Sequence, residues 1–244
     1  EEGYRRLRAA VEPVVARMNA QLIWVMGNHD ERAAYSSLLF DVEPSDAPQD
    51  RVHDLDGLRV ISLDTTVPGY HHGALDAAQL DWLSGVLAEP APLGSVLALH
   101  HPPVPTPLEV MSVLELHDQA SLAAVLEGSD VRAILGGHLH YSTHGTFAGI
   151  PVHVASATCY TLDLGADATR LLSGVDGAQS FDIVSVYADR VVSSTVPLAS
   201  ATEVTGFAAT YRPMIEEMPA DVRLEQLSSK ASQLNLNEAA ASDV

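Results

Sequence analysis

Leu22-Ile23-Trp24-Val25-Met26-Gly27-Asn28-His29-Asp30 is the stretch on which the reading of this chain turns. Its apolar run predicts a short strand over 21–26, and the strand runs straight into a carboxamide and an imidazole. The same pattern returns downstream. Val96-Leu97-Ala98-Leu99 leads into His100-His101-Pro102-Pro103, and Val131-Arg132-Ala133-Ile134-Leu135 leads into Gly136-Gly137-His138-Leu139-His140. Strand ends bearing oxygen and imidazole donors supply the ligand types of a divalent-metal site. In open α/β sheets such ends are also where ligands bind.

Around these strands the periodicity predicts helices over 3–19, 31–40, 75–88 and 118–127. A hairpin is expected over 51–63, turning at Asp56-Gly57. From about 144 the pattern is purely β, with strands around a Gly149-Ile150 turn and a hairpin over 181–197 through Ala188-Asp189. Strands alternating with helices, followed by strands alone, imply an α/β domain with two packed sheets over residues 1–200. The segment 201–244 is polar and acidic with a short helical pattern near 221–230, and is expected to be a mobile C-terminal extension.

The chain has 244 residues, 32 acidic against 13 basic, and a net charge of -19. That balance argues against a nucleic-acid binder, which depends on neutralising phosphates. An anionic small molecule would instead need positive charge from bound metal ions. Cys159 is the only cysteine, which excludes an intrachain disulfide and a cysteine-rich zinc site and fits a cytoplasmic location. No apolar run approaches the roughly 20 residues of a membrane span. Neither a Gly-x-Ser-x-Gly elbow, a Walker loop nor a dinucleotide fingerprint occurs in the chain.

Each candidate residue has a plain alternative. Asn28 can bind a hard metal ion or serve a tight turn, and His29 can ligate, act as an acid or pack. His138 and His140, two apart on extended backbone, would face one side about 7 Å apart and serve two neighbouring ions. The plain alternative is a half-buried core pair, which Gly136, Gly137 and the strand end disfavour. His100 closes its strand at the ligand-binding end, whereas His101 should point the opposite way, as support for the site or as surface. His71 and His72, in a Gly-flanked loop, read as substrate contacts at the rim or as a solvated loop.

Taken together, these segments resemble the calcineurin-like metallophosphoesterase superfamily, and within it the class III cyclic-nucleotide phosphodiesterases of mycobacterial type. The closer resemblance lies in Gly27-Asn28-His29-Asp30, Val67-Pro68-Gly69-Tyr70-His71-His72-Gly73, Gln79-Leu80-Asp81-Trp82-Leu83 and the segments 99–103, 132–141 and 149–160. It implies a four-layer α-β-β-α sandwich of two mixed sheets holding two metal ions, iron, manganese or zinc. It implies hydrolysis of cyclic AMP or cyclic GMP by a water bridging the ions, a nucleotide substrate rather than nucleic acid, and a homodimer as one assembly. By resemblance Asn28, His100 and His138 are ligands of one ion and His140 of the other. His29, oriented by Asp30, assists the leaving oxygen. Asn28, His29 and His140 also face the substrate, with His71 and His72 at the rim.

The family's Asp-x-His and Gly-Asp strand ends, the second of which bridges the ions, occur nowhere in the chain. The resemblance therefore leads us to expect two strands and their ligands ahead of Glu1, lost by N-terminal truncation. A broad-specificity phosphoesterase is the alternative for the whole protein. A catalytically inactive binding module is the alternative for this chain alone.

Overall fold

A computed structural model of the protein describes residues 1–200, 202, 204, 208–229, 231 and 232. The chain divides into two compact units, Glu1–Ala199 and Ser200–Val244. The first opens with helices α1 (Glu2–Met18) and α2 (Arg32–Phe40), then the hairpin β1 (Arg51–Leu55) and β2 (Leu58–Leu63). Helix α3 (Ala77–Leu87) leads to β3 (Ser95–Leu99), and α4 (Gln119–Leu126) to β4 (Val131–Gly136). Strands β5 (Thr143–Phe147), β6 (Ile150–Val154), β7 (Thr161–Leu162), β8 (Gly174–Val175), β9 (Ser180–Val186) and β10 (Val191–Pro197) complete it. In the second unit the described elements are a 3-10 turn Ala209–Tyr211, α5 (Arg212–Glu217) and α6 (Ala220–Ser228). Positions 233–244 of the extension expected from the sequence lie outside the described residues.

This is a mixed α/β fold. One sheet has six strands in the order β1-β2-β3-β4-β6-β5, and β9 pairs with β10 in a separate sheet. Strands β2, β3, β4 and β6 run parallel, while β1 and β5 are antiparallel edges. The register aligns Ile61, Leu97, Ile134 and Val152 in one row across the sheet. That row is fully buried and joins Leu83 and Leu87 of α3 and Leu122 and Leu126 of α4 in one core. The two connecting helices thus bury one face of the parallel strands, as right-handed crossovers do. β3, the central strand, is buried at every residue. Asp76 starts α3 with a capping box, accepting from the Gln79 amide while the Gln79 side chain accepts from the Asp76 amide.

Two local expectations are corrected. The stretch 21–26 forms no strand. Strand geometry needs a ladder partner, and none pairs with this segment among the described residues. Met26 is buried instead with Tyr35 and Leu39 of α2, with Tyr4, Trp24 and Phe40 packed around them. The β5–β6 turn falls at Ala148-Gly149, whose φ angles of 50° and 79° are both left-handed, one residue before the expected position. Among the described residues no helix is long and apolar enough to cross a membrane.

Candidate metal centre

The loops that leave the parallel strands at their C-terminal ends deliver the site. After β2 the chain is pinned by Asp64, whose side chain is wholly buried. Its Oδ2 accepts from Arg32 Nε at 2.9 Å and from the Gln49 amide at 3.0 Å. Its Oδ1 accepts from the Thr66 amide at 2.8 Å and the Thr66 hydroxyl at 2.6 Å. Four donors satisfy a charge that burial would otherwise make costly. The loop so anchored carries His71 and His72.

Asn28, His100 and His138 converge. Asn28 Oδ1 lies 2.7 Å from His100 Nε2, and His138 Nδ1 lies 3.3 Å from that same nitrogen. Donor atoms about 2.1 Å from a first-row metal stand roughly 3 Å apart, so this spacing is that of neighbouring corners of a coordination shell. The Asn28 amide is oriented by His71, whose Nδ1 accepts from Asn28 Nδ2 at 2.9 Å. Among the described residues no group meets the buried His138 Nε2 in good hydrogen-bond geometry, although the Leu114 backbone nearby favours the charged ring. Burial, reinforced by the neighbouring imidazoles, pulls the pKa of His100 down to about 2. Burial likewise pulls His138 to about 4. Both rings are therefore neutral at pH 7, the form that donates a lone pair.

His101 joins this group, with one donor atom from each of His100, His101 and His138 within 4.8 Å of the others. Its hydrogen bonds nevertheless take both ring nitrogens. Nε2–H donates to the His71 carbonyl at 3.1 Å, and Nδ1 accepts from the Thr65 hydroxyl at 2.8 Å. A neutral imidazole has no further lone pair to offer. His101 is fully buried, and a Cβ on Gly73 would lie 2.6 Å from its Cγ. It is a strut between β3 and the His71 loop. The sequence set it apart from His100 as support for the site or as surface, without naming the partners it supports. The adjacent hydroxyls Thr65 and Thr66, at the neighbouring strand end, are the signal that could have pointed to a buried partner.

His138 and His140 do not sit on extended backbone. β4 ends at Gly136, where a Cβ would approach Pro102 Cβ to 2.7 Å, and the two histidines have left-handed φ of 67° and 56°. The strand-based reason for their sharing a side is therefore corrected. A turn, not a pleat, brings both to the same cleft. His140 Nδ1 meets the Tyr160 carbonyl at 3.0 Å, which fixes the proton on Nδ1 and leaves the Nε2 lone pair available.

Asp30 does not hold His29. Its carboxylate accepts from Tyr4 OH at 2.6 Å and from the Gly27 amide at 2.8 Å, and so fixes the loop that presents Asn28. His29 is exposed, its ring centroid 5.0 Å from that of His71. His72 stands apart from the converging donors, stacked on His117 at 4.3 Å. Asn28, His29 and His71 line the boundary between two clefts, of about 330 Å3 and about 200 Å3. The smaller one also contains His138 and His140.

A mainly parallel sheet with histidines at its strand ends and a carboxamide brought to them by the 27–30 loop fits a metallophosphoesterase-type domain. Residues 3–142 match the model of the family described as calcineurin-like phosphoesterase, and the chain belongs to that family. It is 57% identical over 209 residues to a cAMP/cGMP dual specificity phosphodiesterase of Mycobacterium tuberculosis (strain CDC 1551 / Oshkosh), covering 85% of this chain and 65% of that one. To a protein described as a probable cyclic nucleotide phosphodiesterase of Rhodococcus erythropolis (strain PR4 / NBRC 100887) it is 56% identical, covering 82% of this chain and 66% of that one. A 3',5'-cyclic adenosine monophosphate phosphodiesterase of Escherichia coli (strain K12) is 31% identical over 65% of this chain and 60% of its own. The chain thus spans slightly less than two thirds of the length of these relatives.

Proposed function

We propose that the protein is a metal-dependent phosphodiesterase that hydrolyses 3',5'-cyclic nucleotides to nucleoside 5'-monophosphates, with two ions of iron, manganese or zinc. The observation that carries this reading is the convergence of Asn28 Oδ1, from the 27–30 loop, with His100 Nε2 and His138 Nδ1, beyond the ends of β3 and β4, within 2.7 and 3.3 Å contacts. The substrate class rests on the relatives, which are described as phosphodiesterases of cyclic nucleotides. Asn28, His100 and His138 would hold one ion, and His140, through Nε2, belongs to the second. Bound metal supplies a lowered water pKa and charge stabilisation at phosphorus.

The chain's own residues do the rest. His71 holds the Asn28 carboxamide with its oxygen turned to the cluster. Asp30 and Tyr4 keep the 27–30 loop in place. In the hydrolysis water adds to phosphorus and the P–O3' bond breaks. His29, exposed and lining the cleft, gives a proton to the leaving O3', and the proton released by the attacking water balances the one it gives.

The test is His29→Ala in the natural protein that contains this chain, with metal content measured beside the rate of cyclic AMP hydrolysis. The expected result is a rate loss of about 100- to 10,000-fold with metal content unchanged. A smaller loss is expected with an aryl phosphodiester, whose leaving group needs less protonation. Metal loss equal to that of His100→Ala would make His29 a ligand and refute the assigned role.

A further inference from the structure

A second pair of histidines lies outside both clefts. The antiparallel pairing of β5 with β6 sets His144 directly opposite His153. Ile150, Val152 and Val154 of β6 enter the core, so alternation turns His153 to the other face of the sheet, and cross-strand partners share a face. The two Nδ1 atoms lie 3.3 Å apart. His144 is exposed on an edge strand and His153 is half-buried, so the pair can be reached from solvent. Burial, then the His144 ring, hold His153 below the ordinary histidine pKa, and the Asp182 carboxylate on β9 opposes them. His153 is therefore neutral at pH 7, and the charge of Asp182 reaches its ring. Among the described residues, His153 Nε2 and Asp182 Oδ1 are both buried without a hydrogen-bond partner.

We propose that His144 and His153 chelate a divalent transition-metal ion of zinc type through their Nδ1 atoms, with Asp182 holding the His153 ring. Two nitrogens bound to one tetrahedral zinc stand roughly 3.3 Å apart. A hydrogen bond between two neutral rings is the plain alternative. It shares one proton between the Nδ1 atoms and leaves His153 Nε2 an orphan in either tautomer. Ligation through Nδ1 puts the proton of His153 on Nε2, and a carboxylate is a usual acceptor for that proton in a metal-bound histidine. Paired imidazoles select zinc, copper or nickel over magnesium and calcium, which take oxygen donors. A net charge of -19 draws cations to the surface. The ion ties edge strand β5 to β6, and its role is stabilising rather than catalytic, because neither histidine faces a cleft.

The experiment uses zinc alone as the probe. The natural protein that contains this chain is dialysed against buffered zinc, and zinc per chain is counted beside the rate of cyclic AMP hydrolysis. The expected result is one zinc fewer per chain in His144→Asn and in His153→Asn, with the rate unchanged in both. Exposed His144 decides the case if His153→Asn does not fold. Asp182→Asn should weaken this zinc by about 10- to 100-fold and leave the count at saturation intact. Equal zinc in the unaltered protein and His144→Asn would overturn the site and reduce the pair to a hydrogen bond, with the catalytic centre untouched. An affinity in Asp182→Asn equal to that of the unaltered protein would overturn the part given to Asp182.

Discussion

Replacing His101 separates a strut from a ligand. The ring is fully buried, accepts from a fully buried Thr65 hydroxyl at 2.8 Å and donates to the His71 carbonyl at 3.1 Å. His101→Ala leaves the Thr65 hydroxyl without its acceptor, which costs about 1–3 kcal/mol. It also leaves a ring-sized cavity beside His100 and His138, worth roughly 2 kcal/mol more. A loss near 3–5 kcal/mol of folding stability is expected, read by urea unfolding of the natural protein. Thr65→Val should cost about 1–2 kcal/mol, and the double variant should cost less than the sum, because both remove the same bond. His101→Gln, which can restore a donor toward His71, should recover part of the loss. Throughout the series, metal per chain should stay near that of the unaltered protein. Metal loss in His101→Gln as complete as in His100→Ala would show that His101 ligates, and a His101→Ala cost below about 1 kcal/mol would show that it supports nothing.

Other outcomes follow from buried charge and buried neutrality. Burial lowers the pKa values of His100, His101 and His138 to about 2, 3 and 4. From pH 6.5 down to about 4 the unfolded chain binds protons at these rings that the fold does not. The metal-free protein should therefore lose stability as pH falls through that window, by up to about 1.4 kcal/mol per pH unit for each ring. A melting temperature flat between pH 7 and pH 4.5 would contradict this. Asp64→Asn should cost about 3–5 kcal/mol by leaving the Arg32 guanidinium, only 12% exposed, without its counter-charge. It should also weaken substrate binding through the His71 loop, and an unchanged urea midpoint with unchanged KM would reject the anchoring role.

Where sequence logic succeeded it was local. The helical spacing of Leu75, Leu80, Leu83 and Leu87 lies along one short stretch and placed α3 within a residue or two. Apolar runs ending at His100 and Gly136 likewise located β3 and β4. What was not legible depends on partners far along the chain. The run Leu22-Ile23-Trp24-Val25-Met26 has strand composition, but composition does not provide a ladder partner. The period-2 rule failed for His138 and His140 because the backbone had already left the strand at Gly136. Which of the adjacent His100 and His101 would meet Asn28, and which Thr65, is decided by tertiary neighbours 72 and 36 residues away. Tyr4, which takes one oxygen of Asp30, comes from α1 and carries no signal that ties it to the Asn28 loop.

The most direct measurement is AMP formation from cyclic AMP by the natural protein that contains this chain. It is run with added manganese and with a chelator, and repeated with His138→Ala. The expected result is manganese-dependent AMP formation, abolished by the chelator and reduced by orders of magnitude in His138→Ala together with bound metal. Hydrolysis that persists in chelator, or a His138→Ala protein that keeps its metal and its rate, would contradict a catalytic metal centre built on Asn28, His100 and His138.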